Sequence, residues 1–114
     1  MKFVSKSEAK IHKNSEACVA SEYPVGDTDL DFATVEITGR YPDSGRVTNL
    51  KSKEACLILQ GGGKIVIEDK EVSLEKGDLI VVEAGEKYFW DGTMTIAVTC
   101  RPPWTKEQHT QVSL

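Results

Sequence analysis

Histidine and paired cysteine are scarce in this sequence. Only two histidines occur, His12 and His109, and both fall in polar terminal segments where we expect lone surface residues. The three cysteines are odd in number and form no Cys-x-x-Cys pair, so a disulfide framework is not expected. Unpaired cysteines favour a reducing, cytoplasmic location, and Cys56 and Cys100 fall in apolar runs where a free thiol acts as a small hydrophobe.

Long apolar runs and excess positive charge are also missing. The longest uninterrupted apolar run has four residues, 79–82, which is too short to cross a bilayer. The first twelve residues contain lysines but no apolar segment, so we expect no signal peptide. The formal net charge is −4, and because phosphate binding needs a positive patch, we expect neither nucleic acid nor membrane partners.

Short apolar runs separated by turns are abundant, above all in residues 54–90. The runs are 57–59, 65–67, 72–74, 79–82 and 88–90. Turn residues rich in Gly or Asp follow them, including the glycine run 61–63, which we expect to end a strand. This spacing predicts four or five short strands here, and an all-β barrel of two packed sheets with at most one short helix.

The rest of the chain continues this pattern around the central stretch. Further strands are predicted at 17–22, 31–38, 46–50 and 93–100. Residues 1–16 are predicted to be an irregular N-terminal arm, and residues 102–114 a C-terminal tail with one helical turn at 105–108. With no repeat and no linker, all 114 residues are expected to form one domain.

The spacing of glycines and one glutamate resembles the cupin superfamily, whose small β-barrels carry two short motifs. Glu54, six residues and Gly61 match the second half of the first motif, and Gly77, Gly85 and Tyr88 keep the frame of the second. The resemblance covers residues 39–104 and implies a cupin-type barrel, a double-sheet jelly roll. Small cupins commonly pair through sheet edges, so we expect a homodimer, which would also protect an unpaired edge strand.

The resemblance places the usual metal-binding histidines where this chain has none. The His-x-His pair falls on Val47 and Asn49 in one register or on Thr48 and Leu50 in the other, and the second-motif histidine is Tyr88. The possible metal ligands that remain, Asn49, Glu54 and Tyr88, offer only oxygen atoms, and only Glu54 is a strong anion. Transition metals prefer imidazole or thiolate ligands. We therefore expect no metal and no other cofactor.

The same resemblance turns one set of side chains toward the barrel interior. The expected ligand-binding residues are Asn49, Glu54, Cys56, Tyr88 and Trp90. A few polar groups on an apolar wall are typical of a small-molecule site. Two alternatives stay open: Glu54 could face water and pair with a lysine of the preceding turn, and Tyr88 could simply fill the barrel.

Three functions are compatible with these residues. The first, which we favour, is metal-independent binding of a small molecule, with sugar-like or carboxylate-bearing ligands suggested by the resemblance. The second is an isomerase, epimerase or lyase in which Glu54 is the general base and Tyr88 the acid. The third is a structural or partner-binding barrel with a filled interior. A cavity large enough for a sugar would favour the first two.

Overall fold

Strands dominate the fold. The computed structural model describes residues 1–113, and in that range it contains nine strands, two 3₁₀ turns and no α-helix. The strands are β1 (Lys10–Ser15), β2 (Cys18–Tyr23), β3 (Phe32–Tyr41), β4 (Arg46–Asn49), β5 (Lys53–Ile67), β6 (Lys70–Glu75), β7 (Leu79–Val82), β8 (Tyr88–Arg101) and β9 (His109–Val112). The predicted all-β class is confirmed. None of the described residues belongs to a helix with the length and apolarity needed to cross a membrane.

The long strand β8 is the centre of the sheet. It pairs antiparallel with β3 on one side and with β5 on the other, and its first residue also reaches β4. The order is β1-β2-β3-β8-β4-β9, while β6 and β7 pair with β5. Curling of this sheet brings β2, β3, β5 and β8 around one interior, which is where polar side chains of β5 and β8 can meet.

The glycine run 61–63 does not end a strand as predicted, because it lies inside β5. Gly63 is opposite Gly92 of β8, and a Cβ atom on Gly63 would lie 2.2 Å from the backbone oxygen of Asp91. The missing side chains therefore allow the two longest strands to approach closely and to continue through the crossing. The single strand β5 spans the two shorter strands predicted at 57–59 and 65–67. In the same way β8 spans those predicted at 88–90 and 93–100.

Both termini contain strands that the sequence did not indicate. The irregular arm predicted for residues 1–16 is wrong for β1, which pairs with β2 across a short turn. The C-terminal tail contains β9, which pairs with β4 and places His109 opposite Asn49. Neither strand has a continuous apolar face, so the periodicity that predicted the other strands was absent. The tail thereby places Gln108 in a buried position and His109 beside Asn49.

The core consists of the inward side chains of the central strands. On β3 the predicted alternation is confirmed, since Ile37 is fully buried while its neighbours Glu36 and Thr38 are exposed. The inward residues of β5 and β8 complete this core and include Cys56, Ile58, Ile65, Trp90, Met94 and Ile96. A rigid apolar wall of this kind fixes the position of the few polar side chains that share the same face.

Candidate functional site

A cavity of about 480 Å³ opens into the barrel. Its apolar wall includes Ala20, Val25, Leu30, Phe32, Val35 and Val98, and its polar residues include Asp31, Tyr41, Glu54, Tyr88 and His109. The volume lies within the range of roughly 300–1,000 Å³ that is typical of small-molecule sites. The barrel interior is therefore open on this side, with polar groups at its inner end.

Glu54 and Tyr88, the predicted acid–base pair, meet at this cavity. Glu54 comes from β5 and Tyr88 from the start of β8, and both line the cavity. The Tyr88 hydroxyl donates a hydrogen bond to Glu54 Oε1 at 2.9 Å. The Cys100 thiol directs its S–H to Glu54 Oε2 at 3.5 Å. The structure thus brings the two residues into direct contact, with the Glu54 carboxylate inside the protein.

Burial controls the protonation of this pair. Removal from water raises the pKa of the Glu54 carboxyl, hydrogen bonds from Tyr88 and Cys100 oppose that rise, and the nearby Asp31 carboxylate adds to it. Burial also raises the pKa of the Tyr88 phenol well above its ordinary value, and the Glu54 charge acts in the same direction. Tyr88 consequently keeps its proton at neutral pH, and the Glu54 carboxyl holds its proton more tightly than a glutamate in water.

Replacing Tyr88 with phenylalanine should raise the Glu54 pKa further. The hydroxyl stabilises the charged carboxylate, so its removal leaves burial less opposed and the pKa of Glu54 should rise above its value in the wild-type protein. Carbon-detected NMR titration of Glu54 measures it. Tyr23→Phe is the matched control, because Tyr23 also lines the cavity but makes no hydrogen bond to Glu54 in the described residues. An unchanged Glu54 pKa in Tyr88→Phe would contradict the assigned contact.

Asn49 lies behind the pair and does not border the cavity. Its side chain is buried, and its Nδ2 donates to the Tyr88 hydroxyl at 3.4 Å. Its Oδ1 accepts from the Trp104 indole at 3.0 Å and lies 2.7 Å from His109 Nδ1. The amide is therefore committed to protein groups and acts on the cavity through Tyr88.

His109 belongs to this network, so its prediction as a lone surface residue is wrong. The pairing of β9 with β4 brings it next to Asn49, and its Nε2 lies 2.8 Å from the Tyr41 hydroxyl. The His109 and Tyr41 rings stack with centroids 6.1 Å apart. Sequence reasoning missed both residues because neither is at a position where the resemblance places a site residue. The one available signal was the strand-forming composition of residues 109–112, which names no partner strand.

Burial lowers the pKa of His109 to about 4, with a further contribution from nearby His12. The folded protein therefore disfavours the charged ring, and the unfolded chain binds more protons between about pH 6.5 and pH 4. We expect folding stability to be lost as pH falls through this window, by at most roughly 3 kcal/mol. Glu54 acts in the opposite direction, because its raised folded pKa favours the folded state in acid.

Denaturant unfolding of wild type and His109→Gln from pH 7 to pH 4 separates the two effects. The Glu54 contribution is common to both proteins and cancels in the difference, whereas glutamine does not titrate. The difference in unfolding free energy should move in favour of His109→Gln as the pH falls. Parallel pH profiles for the two proteins would refute a buried, neutral His109.

Cys56 and Trp90, both predicted to bind ligand, are core residues that do not border the cavity. Cys56 is 0% exposed, and burial raises the pKa of its thiol well above the ordinary value. Trp90 packs edge-on against Tyr88 with ring centroids 6.4 Å apart. Trp90 packs against the ring of Tyr88, and Cys56 anchors in the core the strand β5 that also contains Glu54. Two other cysteines, Cys18 and Cys100, line the cavity instead.

The positions where the resemblance places a metal do not fit one. Asn49 Oδ1 already accepts two hydrogen bonds, and the raised pKa of Tyr88 keeps its oxygen protonated. Glu54 is then the one anionic ligand, and transition metals need more and softer donors. Within residues 1–113 no group of three His, Cys, Asp or Glu side chains is arranged to hold a metal ion. The placement of the His-x-His positions on Thr48 and Leu50 is wrong, because the Leu50 side chain is exposed and lies outside the barrel interior.

Comparison with solved structures shows the same fold in several proteins. Pac13 from Streptomyces, a nucleoside dehydratase, is 17% identical with a TM-score of 0.87, covering 100% of this chain and 92% of Pac13. The polyketide cyclase RemF from Streptomyces resistomycificus is 17% identical with a TM-score of 0.72, covering 100% of this chain and 87% of RemF. KdgF from a Halomonas species is 16% identical with a TM-score of 0.67, covering 88% and 94%.

These identities are low, so the likeness concerns the fold. No sequence among the curated proteins matches this chain. The sequence profile of the EutQ-like cupin domain matches residues 42–102, which is more than half of the chain and includes Asn49, Glu54, Tyr88 and Cys100. The chain belongs to the EutQ-like cupin domain family.

Proposed function

We propose that this cupin binds a small polar molecule in its cavity and needs no metal to do so. The observation that carries the proposal is the Glu54–Tyr88 pair, joined by a 2.9 Å hydrogen bond and facing a cavity of about 480 Å³. Apolar walls exclude water and strengthen polar contacts, while two or three buried polar groups orient the ligand. The volume suits a molecule the size of a sugar or a nucleoside.

Related folds support this proposal. Pac13 has been solved with uridine, so a barrel of closely similar shape holds a small molecule of that size. The open cavity argues against the filled-barrel hypothesis, which needs side chains where the space is. The oxygen atoms next to Glu54 argue against metal-dependent binding, because the Asn49 oxygen already accepts hydrogen bonds and the Tyr88 oxygen stays protonated.

A thermal-shift screen of the full chain tests the proposal, with a chelator present throughout. The library contains neutral sugars, polyols, nucleosides and small carboxylates, and hits are measured by calorimetry. We expect at least one ligand to bind at one molecule per chain with chelator present. Ala33→Phe, which places a ring in the cavity wall, is the control and should lose binding. Binding that requires added metal, or no binding at all, would overturn the proposal.

A second candidate is proton transfer on the bound molecule, as in an isomerase, epimerase or lyase. The observation that favours it is the direct contact of a carboxyl group of raised pKa with a protonated phenol. Glu54 would remove a proton from carbon and, once protonated, no longer need the Tyr88 hydrogen bond, which would free the one Tyr88 proton for transfer to the ligand oxygen. Incubating any identified ligand with the protein in D₂O tests this. Deuterium enters the ligand with wild type and not with Glu54→Gln if the chemistry occurs, and enters with neither if the protein only binds.

We also propose that two copies pair in solution. Leu57 of β5 and Leu79 of β7 are opposite each other, and both are exposed together with Val81. Among the described strands β7 pairs with β5 alone, so an apolar outer face lies beside a sheet edge, where a second copy would cover both. Light scattering should give the mass of two 12.6 kDa chains. Leu79→Lys should give one chain, and a monomeric wild type at micromolar concentration would refute the pairing.

A further inference from the structure

The indole of Trp104 fixes the direction of the hydrogen bonds behind the cavity. An indole N–H can only donate, so the Asn49 atom 3.0 Å from it must be the carbonyl oxygen. The amide nitrogen of Asn49 then faces the Tyr88 hydroxyl. With the amide reversed, two donors would oppose each other in a buried site, which is strongly unfavourable. One donor-only side chain therefore determines the orientation of Asn49.

This orientation determines where two tyrosine protons lie. Asn49 Nδ2 donates to the Tyr88 oxygen, so the one Tyr88 proton goes to Glu54 Oε1. On the other side, Asn49 Oδ1 can only accept, so His109 carries its proton on Nδ1. The bare His109 Nε2 then accepts the proton of the Tyr41 hydroxyl at 2.8 Å. Both tyrosines use their only donor inside the protein.

The polar groups at the inner end of the cavity, around Glu54, are therefore acceptors. Tyr41 and Tyr88 present oxygen lone pairs, and Glu54 presents its carboxylate. Asp31 also lines the cavity, and its carboxylate already accepts the backbone N–H groups of Cys100 at 2.9 Å and Trp104 at 2.8 Å. The Cys100 thiol directs its weak donor to Glu54. The groups that can donate to a ligand come from β1, β2 and the second 3₁₀ turn. They are the Asn14 amide, the Tyr23 hydroxyl and two exposed lysines, Lys10 and Lys106.

We propose that Trp104 and Asn49 are positioning residues that make this cavity selective for ligands that donate several hydrogen bonds, namely neutral polyhydroxylated molecules such as a sugar ring or the ribose diol of a nucleoside. This inference rests on the proposed function and narrows it, since it excludes the carboxylate-bearing ligands that the family resemblance also suggests. A ligand without hydroxyl donors would leave buried acceptors unpaired, and an anionic ligand would meet Glu54 and Asp31 in a partly water-excluded space.

Matched ligand pairs test the selectivity on the full chain. The probes are glucose and glucuronate, and uridine and 2′,3′-dideoxyuridine, measured by calorimetry with chelator present. We expect a neutral hydroxylated member to bind about 100-fold more tightly than its partner. Equal or tighter binding of glucuronate or the dideoxynucleoside overturns the inference. If these probes fail and only library members without hydroxyl groups bind, the selectivity inference is overturned while the proposed function stands. Failure of every library member refutes both.

A measurement on the ligand-free protein tests the inferred direction of the hydrogen bonds around Asn49. The nitrogen-15 shifts of the His109 ring report its tautomer, and we expect a protonated Nδ1 and a bare Nε2 near neutral pH. The opposite tautomer overturns the inference whatever binds. Trp104→Phe removes the donor that orients Asn49 and should reduce the preference for the hydroxylated partner by roughly tenfold. Trp90→Phe is the control for loss of an indole N–H elsewhere, because the Trp90 indole makes no hydrogen bond to Asn49. In Trp104→Phe the new phenyl ring at position 104 keeps an aromatic surface where Trp104 lines the cavity. Equal selectivity in wild type and Trp104→Phe counts against the proposal.

Discussion

Glu54→Gln should abolish ligand binding and at the same time make the protein harder to unfold at neutral pH. The amide keeps the shape of the side chain and can still accept the Tyr88 hydrogen bond. It removes the negative charge, whose burial raises the pKa of the carboxyl, and it removes the repulsion from Asp31. We expect at least a 100-fold loss of affinity, because the strongest acceptor in the cavity is replaced.

The stability gain has a defined pH dependence. Because the folded pKa of Glu54 is raised, the folded state binds more protons than the unfolded chain above the ordinary glutamate pKa. The favourable contribution of Glu54 is complete below that pKa and is lost as pH rises through the folded value. Glutamine has no such loss, so its advantage should appear above about pH 4.5 and reach on the order of 1 kcal/mol or more near neutrality.

Thermal and denaturant unfolding at several pH values, together with calorimetry of the ligand, measure both effects. Glu36→Gln is the matched control, since Glu36 is exposed on β3 and, within residues 1–113, its side chain accepts hydrogen bonds from Thr95 alone. That variant should alter neither binding nor stability. If Glu54→Gln binds ligand normally and melts like wild type, the cavity is not the binding site. Opposed changes in stability and binding are expected of a functional residue and not of a packing residue.

Glu54 and Tyr88 could be predicted because local spacing carries their signal. Both lie in residues 54–90, where turns and apolar runs set strand lengths and therefore the face to which each side chain points. The family resemblance then indicated that this face is the interior. Cys56 and Trp90 share those faces, and the same reasoning could not separate a residue beside the cavity from one behind it. That distinction depends on the curvature of the sheet.

The second half of the site could not be predicted, because it depends on pairing between distant segments. His109 reaches Asn49 through the β4–β9 ladder, across 60 residues of chain, and Trp104 reaches the same amide from the segment before β9. Neither segment has an apolar period that would identify a partner. For the glycine run 61–63 the local sequence was misleading, because glycines predict the end of a strand. In the structure the run lies inside β5, where its lack of side chains allows Gly92 of β8 to approach closely.

Gln108→Ala should destabilise the protein by roughly 2–5 kcal/mol. The side chain is buried, and its Oε1 accepts the backbone N–H groups of Lys51 at 2.9 Å and Ser52 at 2.7 Å. Its Nε2 donates to Ser52 Oγ, which in turn donates to the Pro102 carbonyl. Alanine would leave these donors without a partner, and each unsatisfied buried group costs about 1–3 kcal/mol.

The substitution should also weaken ligand binding, although Gln108 does not line the cavity. The turn that it holds, residues 50–52, separates Asn49 from the strand that carries Glu54, and Gln108 itself precedes His109 at the start of β9. Loosening this contact releases both sides of the Asn49 network at once, so we expect at least a tenfold loss of affinity. Urea unfolding and calorimetry measure the two effects. Gln111→Ala, on the adjoining strand β9, removes one exposed hydrogen bond to the Ser44 carbonyl and should change the unfolding free energy by less than about 0.5 kcal/mol. Equal stability of the two variants would mean that the C-terminal segment does not support the site.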